Sequence, residues 1–308
     1  MNTSPNNTPG SSGVSDPGYN SATTRPLYWS VRRELWENRS IYVAPLIVAV
    51  VVLLGFLIST IGMPERRQAV LLRDAAYQRA AIGEPYDAAA MILILTAFII
   101  AVFYCLDALQ GERRDRSILF WKSLPVSDLT TVLSKASIPL VILPVLIFGI
   151  IVFVQFLMLL WSSAILLPSG LAATTWTRFN LFQQSVILLY SLIVIVLWHA
   201  PIYAWALLIS GWARRATFLW AVLPLLAIGV LEKIAFDTSH FASMLKDRLF
   251  GAADTAFAFQ QHRGVAIDSL VQLRPGRYFT TPGLWIGLAF AAAFVAIAVR
   301  QRRYRGPI

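Results

Sequence analysis

Residues 136–167 read ASIPLVILPVLIFGIIVFVQFLMLLWSSAILL, a run of 32 residues without one charged side chain. In water this run would expose more apolar surface than a single protein core can hide. In a bilayer it is the expected lipid-facing material. Because a helix needs roughly 20 residues to cross the hydrocarbon layer, the run predicts a tilted membrane helix or one that continues beyond the bilayer.

The rest of the 308-residue chain has the same character. Hydrophobic residues make up 57% and charged residues 14%, whereas a soluble domain usually carries about 25% charged residues. This composition predicts an all-α integral membrane protein that cannot exist as a soluble globular domain. The predicted membrane spans are residues 41–62, 86–107, 136–165, 182–211, 215–233 and 281–300.

The distribution of basic residues predicts the orientation, because Lys and Arg collect at the cytoplasmic ends of membrane spans. Six crossings place both termini on one side, which then carries 15 Lys and Arg against 7 acids, while the opposite side carries 11 against 9. Both termini are therefore predicted to be cytoplasmic in a multi-pass protein. The net charge of +10 is then explained by the membrane flanks, and nucleic acid is not an expected partner.

Two segments outside the spans complete the predicted organisation. Residues 1–26 are rich in Ser, Asn, Pro, Gly and Thr and predict a disordered cytoplasmic tail, followed by one membrane domain over residues 27–308. Residues 234–280 form the largest external segment. Its charged residues, among them Lys246, Asp247 and Arg248, favour a cap at the membrane surface over a segment that re-enters the bilayer.

An amphipathic helix is predicted at residues 27–40, before the first span. Leu27, Val31 and Leu35 recur on one side, and Glu34 and Glu37 are assigned to the polar side. This spacing is typical of a helix that lies along the cytoplasmic interface in contact with lipid. The residues expected to hold it there are Trp29, Arg32, Arg33 and Trp36.

Energy-supplying chemistry is missing from the sequence. Apart from the membrane edges, the spans contain no Asp, Glu, Lys or Arg, and the chain has no G-x-x-x-x-G-K-[ST], H-E-x-x-H or G-x-S-x-G motif. We therefore expect no enzyme activity, metal site or cofactor on this chain, and any uphill transport must be driven by a partner. His199 is the one ionisable group inside the fourth span, either a proton relay on a pathway or a packing histidine, and Pro201 beside it predicts a kink.

The predicted cytoplasmic loop at residues 112–128 reads ERRDRSILFWKSLPVSD. A charged start is followed by an apolar helical stretch that ends at Pro125, after which Ser127 or Asp128 is expected to cap a second helix that runs into the third span. Such an arrangement either passes a push from the cytoplasm into the bilayer or is an ordinary interfacial helix with solvated charges.

This loop resembles the corresponding loop of ABC-2 type permeases, the membrane subunits of a class of ATP-binding cassette transporters. Residues 199–215, HAPIYAWALLISGWARR, are similar to the end of the fourth span in that family. The resemblance implies that residues 112–128 form a coupling helix that docks on a separate ATPase subunit, and that residues 27–40 are the family's connecting helix. The implied coupling residues are Glu112, Arg113, Arg114, Asp115, Arg116, Leu119, Phe120, Trp121, Lys122, Leu124, Pro125 and Asp128.

The same resemblance implies the partners and the location. Two permease chains, identical or homologous, would combine with two ATPase subunits that bind ATP and magnesium, in a bacterial plasma (inner) membrane, and export is the favoured direction. Leu119, Phe120, Trp121 and Leu124 would supply the apolar docking face, and Arg113, Arg114, Arg116 and Lys122 would position it. An ATP-independent membrane scaffold, channel or membrane enzyme is the alternative. The uncharged spans favour an apolar or amphipathic cargo.

Overall fold

The structure is a computed structural model that describes residues 26–123, 126–258 and 269–304, without the side chains of residues 121–123. Of the predicted tail at residues 1–26, residues 1–25 lie outside the described residues, and Pro26 begins the first helix. Arg263, another charged residue of the predicted external segment, also lies outside the described residues. The described residues are helical, apart from one isolated bridge between Phe257 and Leu273. Six of their helices are long and apolar enough to cross a membrane, which confirms the predicted all-α class and the number of spans.

The helices are joined by short connections, except between Ala256 and Pro275. The first part contains α1 (Pro26–Glu37), α2 (Ser40–Ser59), α3 (Met63–Leu71), α4 (Ala75–Ala108), α5 (Gln110–Arg114), α6 (Ser117–Ser123) and α7 (Asp128–Ser137). The second part contains α8 (Leu143–Leu166), α9 (Ala172–Arg178), α10 (Leu181–Trp212), α11 (Thr217–Phe236), α12 (His240–Phe250), α13 (Ala252–Ala256), α14 (Pro275–Thr280) and α15 (Pro282–Tyr304). The six long spans are α2, α4, α7 joined to α8, α10, α11 and α15.

Two spans begin before the uncharged sequence does. Helix α4 starts at Ala75, where the side chain of Asp74 accepts a hydrogen bond from the Tyr77 amide at 3.3 Å. Its first turns carry charged side chains, so a prediction based on uncharged sequence placed the start of this span too late, at residue 86. Helix α7 starts after Ser127, whose hydroxyl accepts from the Thr130 amide at 3.1 Å, and this confirms one of the two predicted caps.

A short π-helical segment joins α7 to α8. It spans Ile138–Ile142 and contains Pro139, which has no amide hydrogen to donate to a regular α-helical ladder. The helix nevertheless runs on from Asp128 to Leu166, as the sequence predicted for a helix that continues from the loop into the third span.

Helix α10 is the most buried span, and α15 packs along it in parallel. Ala200 and Ala204 of α10 pack with Ala291 of α15, and small residues at such positions let two helix backbones approach closely. Near the end of the pair, a Cβ atom added to Gly211 would lie 2.9 Å from Oε1 of Gln301. Helix α10 continues through Pro201 to Trp212.

The external segment does not cap the end of the bundle as predicted, because α12 packs along the middle of α10. The guanidinium of Arg248 stacks over the Trp198 ring, 4.6 Å from its centroid, and Nη2 donates to the Gly283 carbonyl at 2.7 Å. Trp198 Nε1 donates to the Asp247 carbonyl at 3.1 Å. Trp198 lies about 26 Å along the helix axis from the start of α10 at Leu181. The aromatic ring and the carbonyl groups contact the part-buried guanidinium of Arg248, which places α12 beside α10 and not over its end.

The helices that follow α12 also contact α10, at positions nearer to its start at Leu181. The Tyr190 hydroxyl donates to the carbonyl of Ala256 in α13 at 3.2 Å, and the hydroxyl of Tyr278 in α14 donates to the Val194 carbonyl at 2.9 Å. Helices α12, α13 and α14 therefore form one layer against the half of α10 that begins at Leu181.

Replacement of Arg248 with Met is expected to lower the free energy of unfolding by about 2 kcal/mol. The change removes a cation–π contact and charge-assisted hydrogen bonds but keeps most of the aliphatic stem. Denaturant titration of the detergent-solubilised protein measures the loss. Lys246→Met removes the same charge from an exposed position of α12 and should change stability by less than about 0.5 kcal/mol. Equal effects of the two substitutions would refute the described contact.

Candidate functional site

A buried cluster of charged side chains joins helices at one end of the bundle, called here the α1 end, which holds α1, α5, α6, α7 and the last turns of α15. Lys135 Nζ donates to Glu34 Oε1 at 2.9 Å and lies 3.2 Å from Glu112 Oε1. Glu34 is 0% exposed and Lys135 is 2% exposed. Two carboxylates, one from α1 and one from α5, therefore share the ammonium of α7 away from water.

Two arginines complete this group. Arg33 Nη2 lies 2.7 Å from Glu34 Oε1 and 3.0 Å from Glu112 Oε1, and Arg302 of α15 pairs with Glu112 at 3.2 Å and also with Asp128. Three acids face three bases, so the group carries no net formal charge, as burial requires. We call it the ion cluster. Its members are Arg33, Glu34, Glu112, Asp128, Lys135 and Arg302.

The ion cluster also fixes where the described ends of the chain lie. It connects α1 with the last turns of α15, so both ends of the described chain are on the same side of the bundle. The Tyr104 hydroxyl of α4 donates to Glu34 Oε2 at 2.8 Å, which adds a fifth helix to those held together here.

The faces of α1 and α7 explain why these charges point inward. Glu34 follows Val31 by three residues and therefore shares its face, and Lys135 follows Val132 by the same interval. The prediction that Glu34 lies on the polar side of α1 is wrong, because Glu34 is buried. The sequence did contain a signal for this burial, because the helical spacing from Val31 puts the charged Glu34 on the apolar face of α1.

A second set of contacts fixes the start of the loop to the end of α10. The Ser210 hydroxyl accepts hydrogen bonds from the amides of Leu109 and Gln110, both at 2.9 Å. Arg113 Nη1 donates to the Gly211 carbonyl at 2.8 Å. Arg113 was expected to position a docking partner by its charge, but it is buried and contacts α10. Sequence reasoning did not identify Ser210, because one serine in an apolar span carries no pattern.

The loop contains two short helices where one was predicted. Helices α5 and α6 are separated at Arg116, whose φ of 57° lies in the left-handed region. Ile118 is buried and anchors α6, whereas Leu119 is 58% exposed and Phe120 is 61% exposed. The first turns of α6 therefore present two large apolar side chains at the surface of the α1 end.

The other predicted coupling residues are divided between the surface and the undescribed part of the loop. Arg114 and Asp115 are exposed and lie 3.2 Å apart, and Arg116 is also exposed. The structure thus brings Glu112, Arg113 and Asp128 inside and leaves the remaining described positions outside. The side chains of Trp121 and Lys122, and residues Leu124 and Pro125, lie outside the described residues.

Helix α1 presents its aromatic side chains outward. Trp29 and Trp36 are exposed, and the guanidinium of Arg32 lies 5.4 Å and 4.7 Å from their ring centroids. Arg33, which was grouped with them in the sequence analysis, turns the other way and enters the ion cluster. The helix therefore separates an outer aromatic face from an inner charged one.

His199 has the contacts of a packing histidine. Its Nδ1 lies 2.8 Å from the Ile195 carbonyl, and its Nε2 lies 3.1 Å from the carbonyl of Leu249 in α12. The Phe98 ring packs against it with centroids 5.0 Å apart. These contacts attach α12 to α10 and favour the packing alternative over the proton relay.

The described residues contain no group of three or more His, Cys, Asp or Glu side chains placed to hold a metal ion. The chain matches no protein-family model, no curated protein and no solved structure. The family resemblance of residues 112–128 and 199–215 therefore stays a prediction.

Glu34→Gln is expected to destabilise the protein by about 3 kcal/mol, because it leaves the Lys135 ammonium with a diminished counter-charge inside the protein. Glu37→Gln is the matched control, since that side chain is half-exposed and its ion pair with Arg33 is 3.6 Å long; it should cost less than about 1 kcal/mol. Denaturant titration in detergent measures both. Similar losses from the two substitutions would contradict the importance of the ion cluster.

Stability should also fall in acid because of Glu34. Burial raises the pKa of this carboxyl, but Lys135 and Arg33 outweigh burial and hold the pKa below its usual range. The unfolded chain binds the proton near the ordinary glutamate pKa of about 4.3. The stabilisation is therefore complete above that pH and is lost as the pH falls through the lower folded value.

Thermal unfolding measured from pH 7 to pH 3 tests this dependence. The difference in melting temperature between the unsubstituted protein and Glu34→Gln should be largest near neutral pH and should shrink in acid. A difference that is constant over the whole range would show that the charge of Glu34 is not what stabilises the fold.

Proposed function

We propose that this chain is the membrane-spanning subunit of an ABC-2 type transporter, in which a separate ATPase subunit binds ATP and magnesium and drives export across a bacterial plasma membrane. The observation that carries the proposal is helix α6. Its exposed apolar pair, Leu119 and Phe120, belongs to a segment that is joined through α5 and α7 to buried charges in the bundle. An apolar pair on such a support fits a docking contact for another protein.

The connections of α6 explain how docking moves the spans. On one side, α5 follows α4 after a single residue, Leu109, and on the other side α7 and α8 form one helix from Asp128 to Leu166. A displacement of α6 therefore acts on the ends of two spans. The ion cluster makes α1 and α15 move with them, because separating buried charges costs several kcal/mol.

The expected assembly follows from the same arrangement. The chain lacks a phosphate-binding loop motif, so the nucleotide belongs to the partner. Two permease chains, identical or homologous, would each present one α6 to one ATPase. The α1 end would face the cytoplasm, with the outer aromatic face of α1 in contact with lipid. The cargo pathway would lie between the two membrane halves.

Leu119→Asp is expected to reduce recovery of the ATPase by at least about tenfold, since it places a charge in an apolar contact. The full chain is affinity-purified from its native membrane, and an ATP-binding cassette protein is sought among the co-purified proteins by mass spectrometry. Phe120→Asp should behave in the same way. Leu72→Asp makes the same change at an exposed position after α3 and should leave recovery unchanged.

Three results would contradict the proposal. Full recovery of the ATPase by both α6 variants would refute docking at α6. Absence of the ATPase from the unsubstituted complex, or cargo movement by the purified chain in vesicles without nucleotide, would favour the ATP-independent scaffold, channel or enzyme.

A further inference from the structure

At the opposite end of the bundle, called here the α3 end, a buried cation has no counter-ion among the residues that the structure describes. Arg67 of α3 is 5% exposed, and its Nη1 has no hydrogen-bond partner among the described residues. Burial lowers the pKa of this guanidinium, yet arginine keeps its proton in proteins. Because buried charges are normally paired, Arg67 is a candidate contact for an anion from outside the chain.

Tyr86 connects Arg67 with further buried polar side chains. Tyr86 is the titratable group that acts on its charge, and the Tyr86 and Ser162 hydroxyl oxygens are 3.0 Å apart in the interior. Gln155 donates from Nε2 to the Tyr86 carbonyl at 3.3 Å, while its Oε1 has no partner in the described chain. The buried hydroxyl of Thr175 in α9 is likewise unpaired within the described residues. No acidic side chain is recorded with Arg67 in this part of the structure.

An apolar groove of about 430 Å³ lies next to this polar region, between α2 and α8. Phe56 belongs to both, because it lines the groove and its ring centroid is 6.0 Å from that of Tyr86. Helix α2 ends three residues after Phe56, and α3 begins at Met63. Among the residues that line the groove are Leu53, Phe56, Leu57, Met158, Trp161 and Ala164.

We propose that an anionic phospholipid binds here, with its phosphate against Arg67 and one acyl chain in the groove between α2 and α8. Arg67 supplies the positive charge that the headgroup requires. The groove supplies hydrocarbon contacts on two helices that belong to membrane spans. A free phosphate ion shares the charge but makes no use of the groove. The site does not depend on the ATPase partner.

Binding is tested with the full-length protein purified in detergent and titrated with dioleoyl phosphatidylglycerol or dioleoyl phosphatidylcholine. Native mass spectrometry counts the retained lipids. The unsubstituted protein should retain the anionic lipid with at least about a tenfold preference, the equivalent of one charge-assisted hydrogen bond. Arg67→Gln should abolish that preference, and Arg67→Lys should keep most of it. Arg73→Gln removes the same charge from an exposed position nearby and should have no effect.

The groove is tested separately. Ala164→Phe places a ring in the groove and should reduce phosphatidylglycerol binding about tenfold. The control, Ala292→Phe, adds the same ring to an exposed position of α15 and should leave binding unchanged. Inorganic phosphate is added as a competitor to distinguish a lipid headgroup from a soluble anion, and millimolar phosphate should not displace the lipid.

Several results would overturn the inference. They are equal binding of the two lipids by the unsubstituted protein, a preference that survives Arg67→Gln, and binding that survives Ala164→Phe. Displacement of the lipid by free phosphate would assign the site to a soluble anion. If Arg67→Gln does not fold, as judged by circular dichroism and size exclusion, the comparison of lipids and the Ala164→Phe variant still decide the question.

Discussion

A charge that leaves water must meet an opposite charge or a set of dipoles, and the α1 end of this bundle is organised by that constraint. The Lys135 ammonium lies against two carboxylates that come from helices far apart in the chain. Each of these acids is also paired with an arginine, Glu34 with Arg33 and Glu112 with Arg33 and Arg302. Contacts that would be weak at the surface become specific here because water is excluded.

Elsewhere in the molecule the same constraint is met in a different way. Arg248 is surrounded by an aromatic ring and backbone carbonyls, so its charge can lie against the middle of α10 without an acid. Arg67 has neither arrangement within the described residues. Its contrast with the ion cluster is what singles out the α3 end as a place for an anion from outside the chain.

Much of the fold could be predicted from the sequence, because hydropathy decides which segments a bilayer accepts. Hydropathy did not predict two features. It missed the first turns of α4, because Arg79 and Glu84 are charged. It also did not predict that α12 packs beside α10, because α12 carries the charges around Arg248. The exposed pair on α6 belongs to the apolar face that the family resemblance implies, and spacing alone does not show that these two side chains point outward. The ion cluster does not, because helical spacing gives the face on which Glu34 lies but not which residue, 101 positions later, comes to meet it.

The π-helical segment at Ile138–Ile142 changes which way the side chains of the third span point before and after it. A π turn accommodates one residue more than an α turn, so the helix that follows is rotated by about 100° relative to an unbroken α-helix. Without this insertion, the face of α8 that packs in the core and the face of α7 that carries Lys135 would follow a single stripe. The extra residue uncouples them, so that the part of the helix outside the membrane can be aligned to its own contacts while the part inside keeps its own register.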